Sequence, residues 1–281
     1  MAKISPMRFF LVLICSCFFA AGFGQYYFND IISTQLSNEQ YKLLRSQKVR
    51  KIKATSYEAD NSLTEGFQLE EDISMDGKRI ILSTATSAGR SAVTNRFYEL
   101  GKLKRTQSGS LNIDTRTEYS YTDKGQVQKI VLTTTDTAMK STLTEAHEWQ
   151  YDSTGAPVQM LKIKNKTDTV TVVFLKDEQG LIAEEHWKKK NRTLETYYYY
   201  YDANKKLTDI VRYNSRLKKL IPDFQYEYDA NGRVSQMTQV SMSSASYIIW
   251  KYTYTDKGLK QKELGFDKDK KLIGRIEYSY E

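Results

Sequence analysis

Histidine is the side chain whose proton moves near neutral pH, and the sequence has two, His147 in EAHEW and His186 in EEHW. Each stands beside glutamates and a tryptophan, company that suits a metal ligand or a general acid–base. They lie 39 residues apart, without the i,i+4 or HExxH spacing that puts two ligands on one helix face. Both are therefore expected to be ordinary strand histidines. The acid pairs Glu70–Glu71 and Glu184–Glu185 are adjacent, so in strands they point to opposite faces and do not make a glycosidase pair. No GxSxG, P-loop, GxGxxG or EF-hand pattern occurs. The expectation is no catalytic residue, no metal, no cofactor and no nucleotide: a non-enzyme.

Tyrosine is the other candidate chemistry. There are 21, against 14 glycines, and Tyr197 to Tyr201 is an unbroken run. Aromatic rings stack on sugar faces or on bases, and they also pair across strands to hold a sheet together. Tyr198 and Tyr200 face away from the Tyr197, Tyr199, Tyr201 row if this segment is a strand. They are the candidate ligand-binding residues; the alternate row is expected to be structural.

The elements that must carry these rings form a repeat. YEYDANGRV (Tyr226 to Val234) recurs as YSYTDKGQV (Tyr119 to Val127), WQYDSTGAP (Trp149 to Pro157) and YTYTDKGLK (Tyr252 to Lys260). Weaker copies are YYYDANKKL (Tyr199 to Leu207), FLKDEQGLI (Phe174 to Ile182) and NRFYELGKL (Asn95 to Leu103), with YSYE closing the chain at Tyr278 to Glu281. Successive copies lie 24 to 30 residues apart. The aromatic-x-aromatic pair puts two rings on one strand face. Asp three residues before Gly is a tight turn, its carboxylate accepting backbone N–H bonds at the entry and glycine taking a positive φ at the exit. The following Leu, Val or Ile starts the return strand, so each period is two strands of about nine residues and two turns. The fold class is all-β: an antiparallel β-hairpin repeat meander, a single extended or curled sheet, with a short N-terminal helical cap. Residues 29–48, with Ser37 and Gln40 spaced as a capping box, supply that cap over the open end of the sheet. Val49 to Glu58 reads as the first strand, and 59–281 as the repeat domain.

These copies resemble the YD repeat of Rhs-type bacterial surface and secreted proteins, whose signature is Y-x-Y-D-x-x-G-[RK]-[LV]. The resemblance covers residues 95–281 and is fullest at 226–234; Thr stands for Asp at 122 and 255, and Lys for Gly at 205. It implies a β-repeat scaffold at the cell envelope, a carbohydrate-binding role suggested for some members, and no catalytic residues.

Residues 1–24 read as a signal peptide. Lys3 and Arg8 precede an apolar run from Phe9 to Phe23, and Gly22 and Gly24 are small residues at −3 and −1 of a cut before Gln25. The run is short of the roughly 20 residues of a membrane span; lipidation at Cys17 is an alternative, against which the residues after it remain apolar. Removal takes away both cysteines, Cys15 and Cys17, and brings the net charge from +8 to +6. That excludes disulfides and thiolate chemistry from the processed chain. Mean hydropathy of −0.59 excludes a polytopic helical membrane protein. Lys188 to Lys190 and Lys268 to Lys271 lie at turns and read as solvated tips.

The resulting expectation is an exported, non-enzymatic binding or scaffold protein of a Gram-negative envelope: periplasmic, outer-membrane-associated or extracellular. Its partner would be an envelope protein or a surface polysaccharide, not nucleic acid, and it would not be integral to the inner membrane. A glycan-binding protein using the tyrosine face is the alternative. An outer-membrane β-barrel is third. Ile248, Trp250, Tyr252 and Tyr254 would make a lipid-facing row, but Leu207, Asp209, Val211 and Tyr213 put an acid into one.

Overall fold

In the computed structural model the described residues are 25–86, 91–190, 192–214, 218–241 and 246–281. The signal segment 1–24, Cys17 included, lies outside them.

Each repeat closes a hairpin with its own side chains. The Asp152 carboxylate accepts N–H bonds from Thr154 and Ala156 (2.9 and 3.0 Å), and Gly155 leaves the turn at φ +88°. Asp177, Asp202 and Asp229 make the same two bonds. At the Thr positions the hydroxyls of Thr122 and Thr255 accept one N–H each. Lys205, in the glycine place, adopts φ +61°.

The repeat also explains why its second ring is tyrosine. Register shifts recur at this residue, between Ser120 and Tyr121, Gln150 and Tyr151, Tyr200 and Tyr201, Glu227 and Tyr228, and Thr253 and Tyr254. Such a bulge interrupts the ladder. Beside it, the tyrosine of the next copy donates its hydroxyl to the carbonyl that opens the return strand. Tyr151 reaches Val127 (2.6 Å), Tyr201 reaches Ile182 (2.8 Å), Tyr228 reaches Leu207 (2.6 Å) and Tyr254 reaches Val234 (2.7 Å). Phenylalanine would fill the space but leave the carbonyl bare.

Eighteen antiparallel strands run from β1 (Lys51–Glu58) through β2 (Gln68–Ile73) to β18 (Leu272–Tyr280), each beside its sequence neighbour. β1 pairs with both β2 and β18: Ile52 stands opposite Glu71 on one side and Tyr280 on the other. The meander is therefore a closed barrel, not an extended or open curled sheet. Closure pairs the edges that an open sheet would leave bare.

Side-chain alternation assigns the two faces. Tyr119, Trp149, Phe174, Tyr197, Tyr199 and Trp250 are buried inward. The row through Trp250 and Tyr252 faces the interior, where a lipid-spanning barrel would face it outward. Lys51–Glu70 (3.1 Å), Lys129–Glu148 (2.7 Å) and Lys262–Glu277 (3.1 Å) are ion pairs on the outer wall. In the strand Leu207–Asn214 the bulge splits the expected row: Leu207 pairs with inward Tyr201, whereas Asp209 and Val211 lie opposite the outward Tyr200 and Tyr198.

The N-terminal segment does not cap a sheet edge. A wide turn at Tyr27–Ile32 runs directly into helix α1 (Ser33–Ser46), and Tyr26, Tyr27, Phe28, Ile31, Ile32 and Leu44 join the core formed by the inward rows. Ser37 is inside the helix and meets the Tyr98 hydroxyl (3.0 Å) instead of forming a capping box. With Tyr41 bonded to the Gly77 carbonyl (2.9 Å) and Asn38 accepting from the Leu103 N–H (2.7 Å), the segment plugs the end of the barrel at which the repeated turns cluster.

Candidate functional site

The inward acids of the wall hold the plug. Glu145, His147 and Trp149 alternate with outward residues on strand β8 (Ser141–Tyr151), so all three project inside. His147 donates from Nδ1 to Asp30 Oδ2 of the plug (2.7 Å) and from Nε2 to Glu145 Oε1 (2.9 Å). Trp149 Nε1 also donates to Asp30 (3.1 Å). Burial opposes the imidazolium charge, but the carboxylates on either side outweigh it and push His147 up to about 9. Burial likewise works against ionisation of Glu145, yet His147 and Lys162 bring it down to about 2. Lys162 donates to the Tyr26 hydroxyl and lies 3.2 Å from Glu145.

A second acid receives the start of the plug. Glu185 is fully buried and accepts four bonds: Tyr26 N–H and Tyr27 N–H (2.9 Å each), Trp187 Nε1 (2.7 Å) and the Tyr199 hydroxyl (2.6 Å). Burial pushes its carboxyl up, and the donors oppose that shift. Tyr26 stacks on Trp187 (4.7 Å between centroids), and Tyr27 meets Tyr199 edge-on (5.3 Å). Beside them, Arg212 pairs with Asp223 (2.9 Å), which also accepts from Gln25 Nε2 (2.6 Å).

This chemistry is that of a clamp. A carboxylate oxygen at each ring nitrogen favours the imidazolium form of His147, which donates to both. His186 is on the outer wall, paired with Glu184 at 2.5 Å, so the two histidines face opposite sides of the sheet. Glu184 and Glu185, and Glu70 and Glu71, also separate to opposite faces, as adjacent strand residues must.

Tyr198 and Tyr200 point outward, as expected. Tyr198 lies opposite Glu184 and Val211; Tyr200, 46% exposed, lies opposite Asp209. Sequence reasoning missed Asp30, Lys162 and Glu185 as a unit, because the contacts that join plug to wall span more than a hundred residues of chain. A weaker signal was present: Glu71 shares its strand face with the buried Leu69 and Ile73. An acid in that phase implies a buried counter-charge, supplied here by Arg96 at 2.8 Å.

No protein-family model and no curated protein matches the chain. Among solved structures, it is similar to a crystal structure of TcdB2–TccC3 without its hypervariable C-terminal region: 14% identity over 72% of this chain, TM-score 0.34. The chain spans only 11% of that protein's length. It is also similar to porin-like proteins from Bacteroides uniformis (11% identity, 83% of this chain and 96% of the other, TM-score 0.41) and Bacteroides vulgatus (12%, 83% and 98%, TM-score 0.31). Superpositions this loose establish no shared function.

Proposed function

We propose that this chain is a water-facing, plugged β-barrel exported to the envelope of a Gram-negative bacterium, where it serves as a non-enzymatic binding or scaffold module. The observation that carries the reading is the polarity of the wall. Aromatic rows face inward onto the chain's own N-terminal segment, and the outer rows carry Lys129, Glu148, Glu184, Asp209, Lys262 and Glu277, mostly in cross-strand pairs. A lysine or arginine facing lipid near mid-bilayer costs about 2–4 kcal/mol, which disfavours a spanning barrel. The interior acids and His147 are engaged in holding the N-terminal plug, which supports a binding or scaffold role.

Fractionation of host cells tests this reading. The protein is expected in the high-salt wash of envelopes, with an N-terminus at Gln25 by mass spectrometry. Retention until detergent is added, with that same N-terminus, would overturn it in favour of an integral barrel; a lipidated Cys17 would make it an anchored lipoprotein.

A glycan-binding reading is favoured by one feature of the outer wall. Tyr198 and Tyr200 present rings beside Glu184, His186 and Asp209, and rings flanked by hydrogen-bonding groups suit a sugar.

A further inference from the structure

Hairpin turns at both ends of the barrel carry a residue at positive φ, and the residue type differs between the ends. At the plugged end, the left-handed position is glycine in most turns: Gly125, Gly155, Gly180, Gly232 and Gly258, at φ +74° to +88°. At the opposite end it is lysine in four consecutive hairpins: Lys140 (φ +49°), Lys166 (+66°), Lys190 (+48°) and Lys218 (+50°). Side-chain-bearing residues are strained there and glycine is not. Four lysines in succession, where glycine folds better, mark a charge kept for something other than folding.

The surroundings indicate what the charge meets. All four lysines are exposed. Lys188, Arg192 and Lys219 flank them, and none of these seven cations has an ion pair among the described residues. Asp136 and Asp168 are the acids of these rims, and Asp168 is already taken by Lys189 (2.6 Å). At the plugged end, by contrast, Asp152, Asp177, Asp202 and Asp229 offset the turn cations. Large apolar side chains stand exposed among the lysines: Met139 (79%), Leu194 (51%) and Leu220 (49%). A polyanionic sugar or nucleic acid would need only the charge. Cations interleaved with exposed Leu and Met match the boundary between anionic headgroups and acyl chains.

We propose that the rim marked by Lys140, Lys166, Lys190 and Lys218 docks the barrel, end-on, onto an anionic lipid surface. The lysines engage headgroups while Met139, Leu194 and Leu220 enter the interface. This goes beyond the envelope reading and does not depend on export.

The test is vesicle co-sedimentation with protein purified from its host, wild type and variants sharing one N-terminus. The vesicles are phosphatidylcholine with or without phosphatidylglycerol. Wild type is expected to bind the phosphatidylglycerol vesicles preferentially and to be released by salt. A Lys140→Gly/Lys166→Gly/Lys190→Gly/Lys218→Gly variant should melt no lower than wild type, because glycine relieves the turns. Its binding should be weaker by roughly fivefold per lysine, several hundredfold in all. Leu194→Ser/Leu220→Ser should also weaken binding with the charge unchanged. Wild type indifferent to phosphatidylglycerol, or the four-glycine variant binding as wild type does, would overturn the proposal. Vesicle binding untouched by the leucine changes would also overturn it, in favour of a site for any polyanion.

Discussion

Removing one hydroxyl from the tyrosine series isolates what the repeat contributes. In Tyr254→Phe the ring stays in place and only the 2.7 Å bond to the Val234 carbonyl disappears. Val234 is partly buried and pairs with Tyr228 at a bulge, where the regular ladder is interrupted. A net hydrogen bond is worth about 1 kcal/mol, and leaving its buried partner unpaired costs about 1–3. For a half-buried group we expect a loss of about 1.5 kcal/mol. In a chain of this size that lowers the melting temperature by roughly 3–6 °C. Urea unfolding followed by far-UV dichroism reads it as a lower midpoint at unchanged slope. Tyr151→Phe should cost a similar amount, since its 2.6 Å bond to Val127 is equivalent. The double variant should be additive within about 0.5 kcal/mol, because the two bonds lie on distant strands. Tyr200→Phe, on the outer wall and 46% exposed, should change stability by less than about 0.5 kcal/mol. If Tyr254→Phe is as silent as Tyr200→Phe, the hydroxyl series does not stabilise the bulges and the reasoning fails.

Three further outcomes follow from the same geometry. Gly180→Ala introduces a Cβ into open space at φ +81° and should cost about 1 kcal/mol, whereas Gly265→Ala sets a Cβ 2.9 Å from Trp250 and should cost about 1–3, by chemical denaturation; this reverses the order expected from the repeat alone, in which position 265 lies outside the turn and should tolerate change better. His147, held near 9 against an ordinary 6.5, contributes roughly 3 kcal/mol that is fully present below pH 6.5 and lost as the pH rises through 9; His147→Gln should flatten that alkaline limb of the stability profile, and an unchanged limb would contradict the clamp. On a glycan array, Tyr198→Ala/Tyr200→Ala should abolish any binding while leaving the fold intact, whereas the buried Tyr199→Ala should cost about 3 kcal/mol or more; loss of sugar binding in the outward pair would convert the scaffold reading into a lectin.

Much of this molecule is local and so could be read from the chain. The Asp-to-Gly turn needs only its own carboxylate and glycine, and the hairpin period follows from it. The opposite facing of Tyr197 and Tyr198, or of Glu184 and Glu185, follows from strand alternation without knowledge of any neighbour. Side-chain rows could not be followed across a bulge: the extra residue after Leu207 puts Asp209 on the face opposite to the one simple alternation assigns. Closure was also out of reach, because pairing Ile52 with Tyr280 requires the accumulated twist of eighteen strands to bring the two ends of the sheet together. Only that closure creates an inside, and only an inside makes the Tyr26–Ile32 segment a plug. Asp30 meets His147 across 117 positions of chain because the lumen must be filled and a buried imidazolium must be matched with negative charge. Nothing in the residues adjoining either partner could have announced the other.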